Sequence, residues 1–234
     1  MNASTSARAV ARRELTRAIT TEARRQIAEH GADGLSLRAI ARELGMASSA
    51  LYRYFPSRDD LLTALIIEGY TALGDAIDAA DARVDRRDLT GRWLAMCRAA
   101  RDWAKRQPHE YALLYGSPVP GYRAPADTID PAARIPLALL GPLRDGWHAG
   151  SVTDRNGVQL TATLSGQLRT VAEQIAPELP PAVIGAAISA WTRLFGVISF
   201  ELFGHLVGSV DPADEFFDHE IRSMATHLGL PSAP

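Results

Sequence analysis

The 234-residue sequence predicts an all-α protein with an N-terminal three-helix head and a longer helical C-terminal domain. Two observations carry this. In residues 35–65, Leu37, Ile40, Ala41 and Leu44 recur at i, i+3, i+4 and i+7, the spacing of one helix face. Beyond the head, glycines and prolines punctuate a series of apolar helical stripes, the longest of them over 181–207 and apolar nearly all round.

The head opens with a helix over 7–30, after a polar tail over 1–6 expected to be disordered. Its face carries Leu15, Ile19, Ala23 and Ile27, and Gly31 and Gly34 stop it. Ser36 stands ahead of the Leu37 set, where a side-chain oxygen can cap a helix start, and Gly45 follows it, where glycine best accepts a left-handed termination. A very short helix fits 47–54 or 47–55. Pro56 blocks its continuation, and Ser57 with Asp60 reads as the cap of a third helix. Two turns of helix do not stand alone in water, so the middle helix must be held by packing. At about 100° per residue Ala47, Leu51 and Phe55 face inward, while Ser49 and Arg53 point away. Helix, glycine turn and short outward helix make a helix-turn-helix, whose second helix fits the DNA major groove. Ser48, Ser49 and Tyr52 offer hydroxyls, Arg53 a planar donor fork, and the small Ala47 and Ala50 allow close approach. Arg58 opens the next helix within reach of a phosphate. Spacing alone fits any helical hairpin with solvated polar residues equally well.

The run Leu37-Arg38-Ala39-Ile40-Ala41 through Gly45, then Leu51-Tyr52-Arg53-Tyr54-Phe55 and Asp60-Leu61-Leu62, resembles the DNA-binding domain of TetR-family transcriptional regulators. The resemblance covers roughly residues 10–65, and "LYRYF" is its most specific part. It implies a homodimeric, all-helical, ligand-responsive regulator, usually a repressor. Carried over, Ser36 and Arg38 open the helix lying over the DNA backbone, Ser48, Ser49 and Arg53 face bases, and Tyr52, Tyr54 and Arg58 touch phosphates. Ala47 and Ala50 stand where many relatives carry longer polar side chains, so sequence preference leans on Arg53, the two serines and DNA shape.

The helix after Pro56 has no stop until the charged stretch 78–88. It is therefore shared, from about 57 to 80, between a DNA-binding domain (1–55) and an effector-binding and dimerisation domain (56–234). A helix over 89–106 aligns Trp93, Met96, Cys97, Ala100 and Trp103. Pro108 ends it, and Tyr111 and Tyr115 lie one turn apart on a short helix. Such a stripe is core by default; the resemblance, which places an effector pocket among the middle helices, makes Trp93, Met96, Cys97, Trp103, Tyr111, Tyr115, Trp147 and His148 the candidate effector-binding residues. The proline-rich stretch 116–136 either borders that pocket or is a plain surface excursion. "PHEYALLYGSPVPGYRAP" further resembles the WHG class of C-terminal domain on TetR-family regulators. Where that class has Trp-His-Gly, this chain has Trp191-Thr-Arg-Leu194-Phe195-Gly196, so Phe195 replaces the histidine.

A helix over 130–149 carries Ile135, Leu139, Leu140 and Leu143, and another spans 157–173. With the long helix over 181–207, the last is read as a dimer interface, a four-helix bundle made by two subunits. Gly185, Ser189, Gly196, Phe200, Glu201 and His205 are its candidate residues, with Glu201 and His205 paired to each other or across the interface. A final helix over 212–228 docks through Phe216, Phe217, Ile221, Met224 and Leu228.

Residues 1–60 hold ten arginines against seven acids in a chain of net charge −2, so a mildly basic head precedes an acidic body. A single cysteine, Cys97, excludes an internal disulfide or a cysteine-rich metal site. No signal-peptide core and no uninterrupted apolar run of ~18 residues is visible, which points to the cytoplasm and away from a membrane. No cofactor, metal cluster, nucleophile elbow or phosphate-binding glycine loop is found. The expected partners are a double-stranded operator with an inverted repeat, a second copy of the chain and a small effector. The competing classes are a helical protein-interaction module without DNA binding and a small helical enzyme.

Overall fold

The computed structural model describes residues 3–152 and 159–231; Met1, Asn2 and the expected helix start at Gly157 lie outside them. Among the described residues there are ten α-helices, two short 3-10 turns and no strand. The helices are α1 (Ala3–His30), α2 (Leu37–Glu43), α3 (Ser48–Leu51), α4 (Arg58–Asp81), α5 (Leu89–Arg106), α6 (Pro108–Tyr115), α7 (Ile129–His148), α8 (Ala162–Ile175), α9 (Pro181–Leu202) and α10 (Asp214–His227). The first begins at Ala3, four residues earlier than expected. The chain divides into two compact units, Met1–Gly69 with Gln107–Ile129, and Tyr70–Arg106 with Asp130–Pro234. This differs from a division at residue 55. The start of α4 completes the first core through Leu61, Leu62 and Leu65, and the segment around α6 packs there too.

The core of the first unit joins Ile19, Ala23 and Ile27 of α1 to Leu37, Ile40 and Ala41 of α2, Leu51, Phe55, and the α4 leucines. Leu113, Val119 and Tyr122 cover it from the second segment, and the hydroxyls of Tyr122 and Thr63 are 2.9 Å apart. Arg24 of α1 pairs with Glu68 of α4 and, at 2.9 Å, with Glu110 of α6. The proline-rich stretch up to Ile129 thus belongs to the head unit, while Pro136 at its far end, on α7, lines an apolar cavity of the second unit.

In the second unit α5, α7, α9 and α10 bury Trp93, Met96, Leu139, Leu143, Leu194, Ile198, Phe217 and Ile221 together. Trp93 donates its indole N–H to the Ile221 carbonyl at 3.0 Å, fastening α5 to α10. A Cβ at Gly146 would stand 2.5 Å from Val152 and 2.8 Å from Leu89, so α7 comes this close only with glycine there. The long apolar helix stops at Leu202, shorter than expected, with Gly204 and Gly208 at positive φ in the turns that follow. By length and composition α9 is apolar enough to cross a membrane, because only Arg193 and, near its end, Glu201 interrupt its apolar run. That Arg193 pairs with Glu220 of α10 at 2.6 Å, and Glu201 is held by Arg101 and Lys105 of α5.

Candidate DNA-contacting surface and ligand cavity

The helix-turn-helix is built from local signals acting together. Ser36 Oγ accepts the Ala39 N–H at 3.3 Å, and the Ser36 N–H is itself held by Gln26 of α1 at 3.2 Å. At the other end of α2, Gly45 has φ +63°, Met46 donates to Ala41 at 2.8 Å and Gly45 to Arg42 at 3.2 Å. This paired closure is a Schellman turn, and it fixes the direction in which α3 leaves. Ser57 caps α4 by accepting the Asp60 N–H at 3.1 Å and donating to its carboxylate at 2.6 Å.

Regular helix in α3 lasts only from Ser48 to Leu51, and tight turns carry the coil to Phe55 through Tyr54 N–H to Leu51 O at 2.8 Å. Leu51 and Phe55 are buried, each contributing roughly 1.5–3 kcal/mol of apolar transfer that a four-residue helix cannot supply for itself. Ser48, Ser49, Tyr52 and Arg53 stand exposed around them. Ala47 is exposed as well; it is the extended N-cap of α3, φ −65° and ψ 136°, and so departs from the helical wheel that turned it inward. Tyr54 is half-buried under the guanidinium of Arg12, 5.4 Å from its ring centre, which ties the start of α1 to the end of the reading segment.

The arginines sort by partner. Among the described residues Arg38, Arg42 and Arg53 are exposed with no ion-pair partner, whereas Arg24 and Arg25 are tied up in pairs. Arg42, which the sequence reading did not single out, occupies the solvent face of α2 one turn beyond Arg38. Arg58, expected at a phosphate, donates to the Ala32 carbonyl at 2.8 Å and lies 4.0 Å from Asp33. It locks the 3-10 turn ahead of α2, and only its remaining N–H groups are left for DNA.

The second unit holds an apolar cavity of about 40 Å³. Trp93 of α5, Leu139, Leu140 and Leu143 of α7, and Ile184, Ile188 and Trp191 of α9 line it. Of the eight residues expected at an effector, only Trp93 reaches this cavity. Met96, Cys97 and Trp103 are core, and burial pushes the Cys97 thiol well above its ordinary value against the weaker opposing pull of Arg98. Trp147 is half-buried, and His148 is exposed 3.9 Å from Glu178. Tyr111 and Tyr115, ring centres 5.2 Å apart, belong to the first unit. The signal missed in the sequence was the stripe Ile184, Ile188 and Trp191, at helical spacing within a segment apolar on all sides.

A wider groove of about 380 Å³ runs along α8 and α9, lined by Leu164, Leu168, Gly185, Ile188 and Ser189. Gly185 lets α9 approach α8 of its own chain, since a Cβ there would meet Leu168 at 3.1 Å. A Cβ at Gly196 would meet nothing, and Phe200 is 55% exposed. Within the chain Glu201 and His205 do not pair with each other. Glu201 receives two 2.6 Å hydrogen bonds from Arg101, while the ring of His205, beyond the helix end, lies tilted against that of Phe200 with centres 5.0 Å apart. Phe195, in place of the motif histidine, is buried in the core.

Residues 19–65 match the family described as bacterial regulatory proteins, tetR family, and residues 93–224 match the tetracyclin repressor-like C-terminal domain. HTH-type transcriptional regulators of Mycobacterium bovis and Mycobacterium tuberculosis are 39% identical over 225 residues, 93% of this chain and 94% of theirs. Among solved structures, the regulatory protein SCO4313 is 35% identical with a TM-score of 0.75, covering 92% of this chain and 97% of its own. A tetR-family regulatory protein from Rhodococcus RHA1, 16% identical with a TM-score of 0.61 over 93% of this chain and 98% of its own, shares the fold.

Proposed function

Because the chain belongs to the TetR family of transcriptional regulators, and is thus a DNA-binding regulator and not an enzyme, we propose that it is a cytoplasmic homodimeric repressor released by a small apolar or aromatic effector. The observation that carries this is the exposed set Ser48, Ser49, Tyr52 and Arg53 on a short helix anchored by Leu51 and Phe55. Such a helix enters the major groove, where Arg53 reads guanine edges and the serines contact either base of a pair. Arg38 and Arg42 on α2, with Tyr52, Tyr54 and part of Arg58, meet phosphates and set the register. The apolar groove along α8 and α9, lined by Gly185 and Ser189, and the exposed Phe200 further along α9 support pairing with a second copy. The cavity among α5, α7 and α9 supports an effector that binds the non-operator state more tightly.

Selection of bound sequences from random duplex DNA with the purified protein tests this. An inverted repeat with half-sites about one helical turn, ~34 Å, or a multiple apart is expected. Enrichment of a single unrepeated site would remove the two-fold dimer from the proposal. No enrichment at all, with retention on DNA insensitive to salt, would overturn it.

A further inference from the structure

The start of α2 is capped by two helices at once. In a capping box the N-cap side chain accepts the N–H of the third helical residue, whose own side chain reaches back to accept the N-cap N–H. Ser36 makes the first half of this exchange, its Oγ accepting the Ala39 N–H at 3.3 Å. Ala39 has no side-chain acceptor to return. The Ser36 N–H goes instead to Oε1 of Gln26 on α1, ten residues earlier, at 3.2 Å. The cap that starts α2 therefore also fixes it against α1.

The direction of that bond is set one turn back along α1. Gln26 and Glu22 are buried, 4% and 8% exposed, and Gln26 Nε2 donates to Glu22 Oε1 at 3.3 Å. Arg25 donates twice to Glu22, at 2.8 and 2.7 Å, and twice to Glu29, at 2.7 and 2.8 Å. The bonds from Arg25 hold the Glu22 carboxyl below its ordinary value against the opposing effect of burial. An ionised carboxylate only accepts, so it takes the Gln26 amide NH2 and leaves Oε1 turned toward Ser36. On the helix fixed in this way Arg38 and Arg42 stand exposed, one turn apart. We propose that Gln26 is a positioning residue for DNA binding, holding α2 at the angle to α1 that presents Arg38 and Arg42 to the phosphates. This rests on the reading of α2 given above. Arginines held in place beforehand meet the backbone without an ordering cost at the moment of binding.

The test is the Kd of the full-length protein for a random-sequence duplex and for the selected operator, read by fluorescence anisotropy. Gln26→Met keeps the side-chain length and removes both hydrogen-bonding groups. It should weaken binding to both duplexes by about three- to tenfold, the range of one net hydrogen bond. In an Arg38→Ala/Arg42→Ala background α2 has no arginine to present, so the same change should cost less than about twofold. Ala39→Gln returns the missing acceptor from α2 itself. In that background Gln26→Met folds with an intact cap, and the loss of affinity should persist. Equal Kd values for wild type and Gln26→Met overturn the inference, and so does a loss that disappears in the Ala39→Gln background or adds in full to that of the arginine pair. Each of these leaves the DNA-binding reading standing, whereas wild type with no affinity for either duplex overturns both.

Discussion

Asp81→Ala should be among the most damaging single changes in the second unit. Asp81 is the last residue of α4 and sits in a square of two arginines and two aspartates. Arg92, whose side chain is 1% exposed, donates to Asp81 at 2.6 and 3.2 Å and to Asp145 at 2.6 Å. Arg86, 61% exposed, bridges the same carboxylates at 2.5 and 2.8 Å. Removing one partner of a buried pair costs about 3–5 kcal/mol, because the remaining charge is left without compensation. Asp145 stays to hold part of the Arg92 charge, which places the expected cost near the lower end, about 3 kcal/mol. For a chain of this size that lowers Tm by roughly 6–12 °C. Arg86→Ala, on the solvated side of the square, should cost less than about 1 kcal/mol. Urea unfolding followed by circular dichroism at fixed protein concentration reads both. The pH dependence supplies a second check. Burial raises the Asp81 carboxyl, but hydrogen bonds from Arg92 and Arg86 outweigh it and hold it below its ordinary value of 3.8. A depressed carboxyl contributes stability that is full above the unfolded value and is lost as pH falls through the folded one. Wild type should therefore lose more stability below about pH 4 than Asp81→Ala does. Equal costs for Asp81→Ala and Arg86→Ala, or parallel acid limbs, would refute the claim that burial of Arg92 makes this pair matter.

Three further substitutions test the head. Arg53→Ala should weaken operator binding by about 1–3 kcal/mol and relax base choice, whereas Arg42→Ala should weaken all DNA similarly and reduce the salt slope by about one; titrations on operator and random duplex at several salt concentrations separate them. Leu51→Ala, at a fully buried site, should cost about 2–5 kcal/mol in urea unfolding and remove operator selectivity, since little else holds α3 in place.

What could be read from the sequence is what neighbours in sequence decide. The caps at Ser36 and Ser57 and the Schellman turn at Gly45 join residues three to five positions apart, so residue type and spacing suffice to state them. The same holds for the outward Ser48, Ser49 and Arg53. Ala47 was misplaced because an N-cap has extended, not helical, dihedrals. Other differences from the sequence reading involve partners distant in sequence. Tyr111 and Tyr115 read as an effector stripe, but α6 is tied to the head by Arg24, 86 residues before Glu110. Arg58 reads as free for DNA until the carbonyl of Ala32, 26 positions away, is brought beside it.

The apolar helix α9 shows how such distant partners change the meaning of a sequence. Taken alone, its length and composition suit a lipid span, and its two charged residues would each be costly there. Both are instead answered by helices of the same unit, Arg193 by Glu220 and Glu201 by Arg101, which itself lies 4.8 Å over the Phe217 ring. The charges therefore fix the two faces that α9 turns toward α10 and α5. What those faces leave uncovered is Ile188, Ser189, Gly196 and Phe200 on α9, beside Leu164 on α8. An apolar strip of this kind suits a surface of like composition, which is why it is the strip proposed to meet its own copy on a second chain.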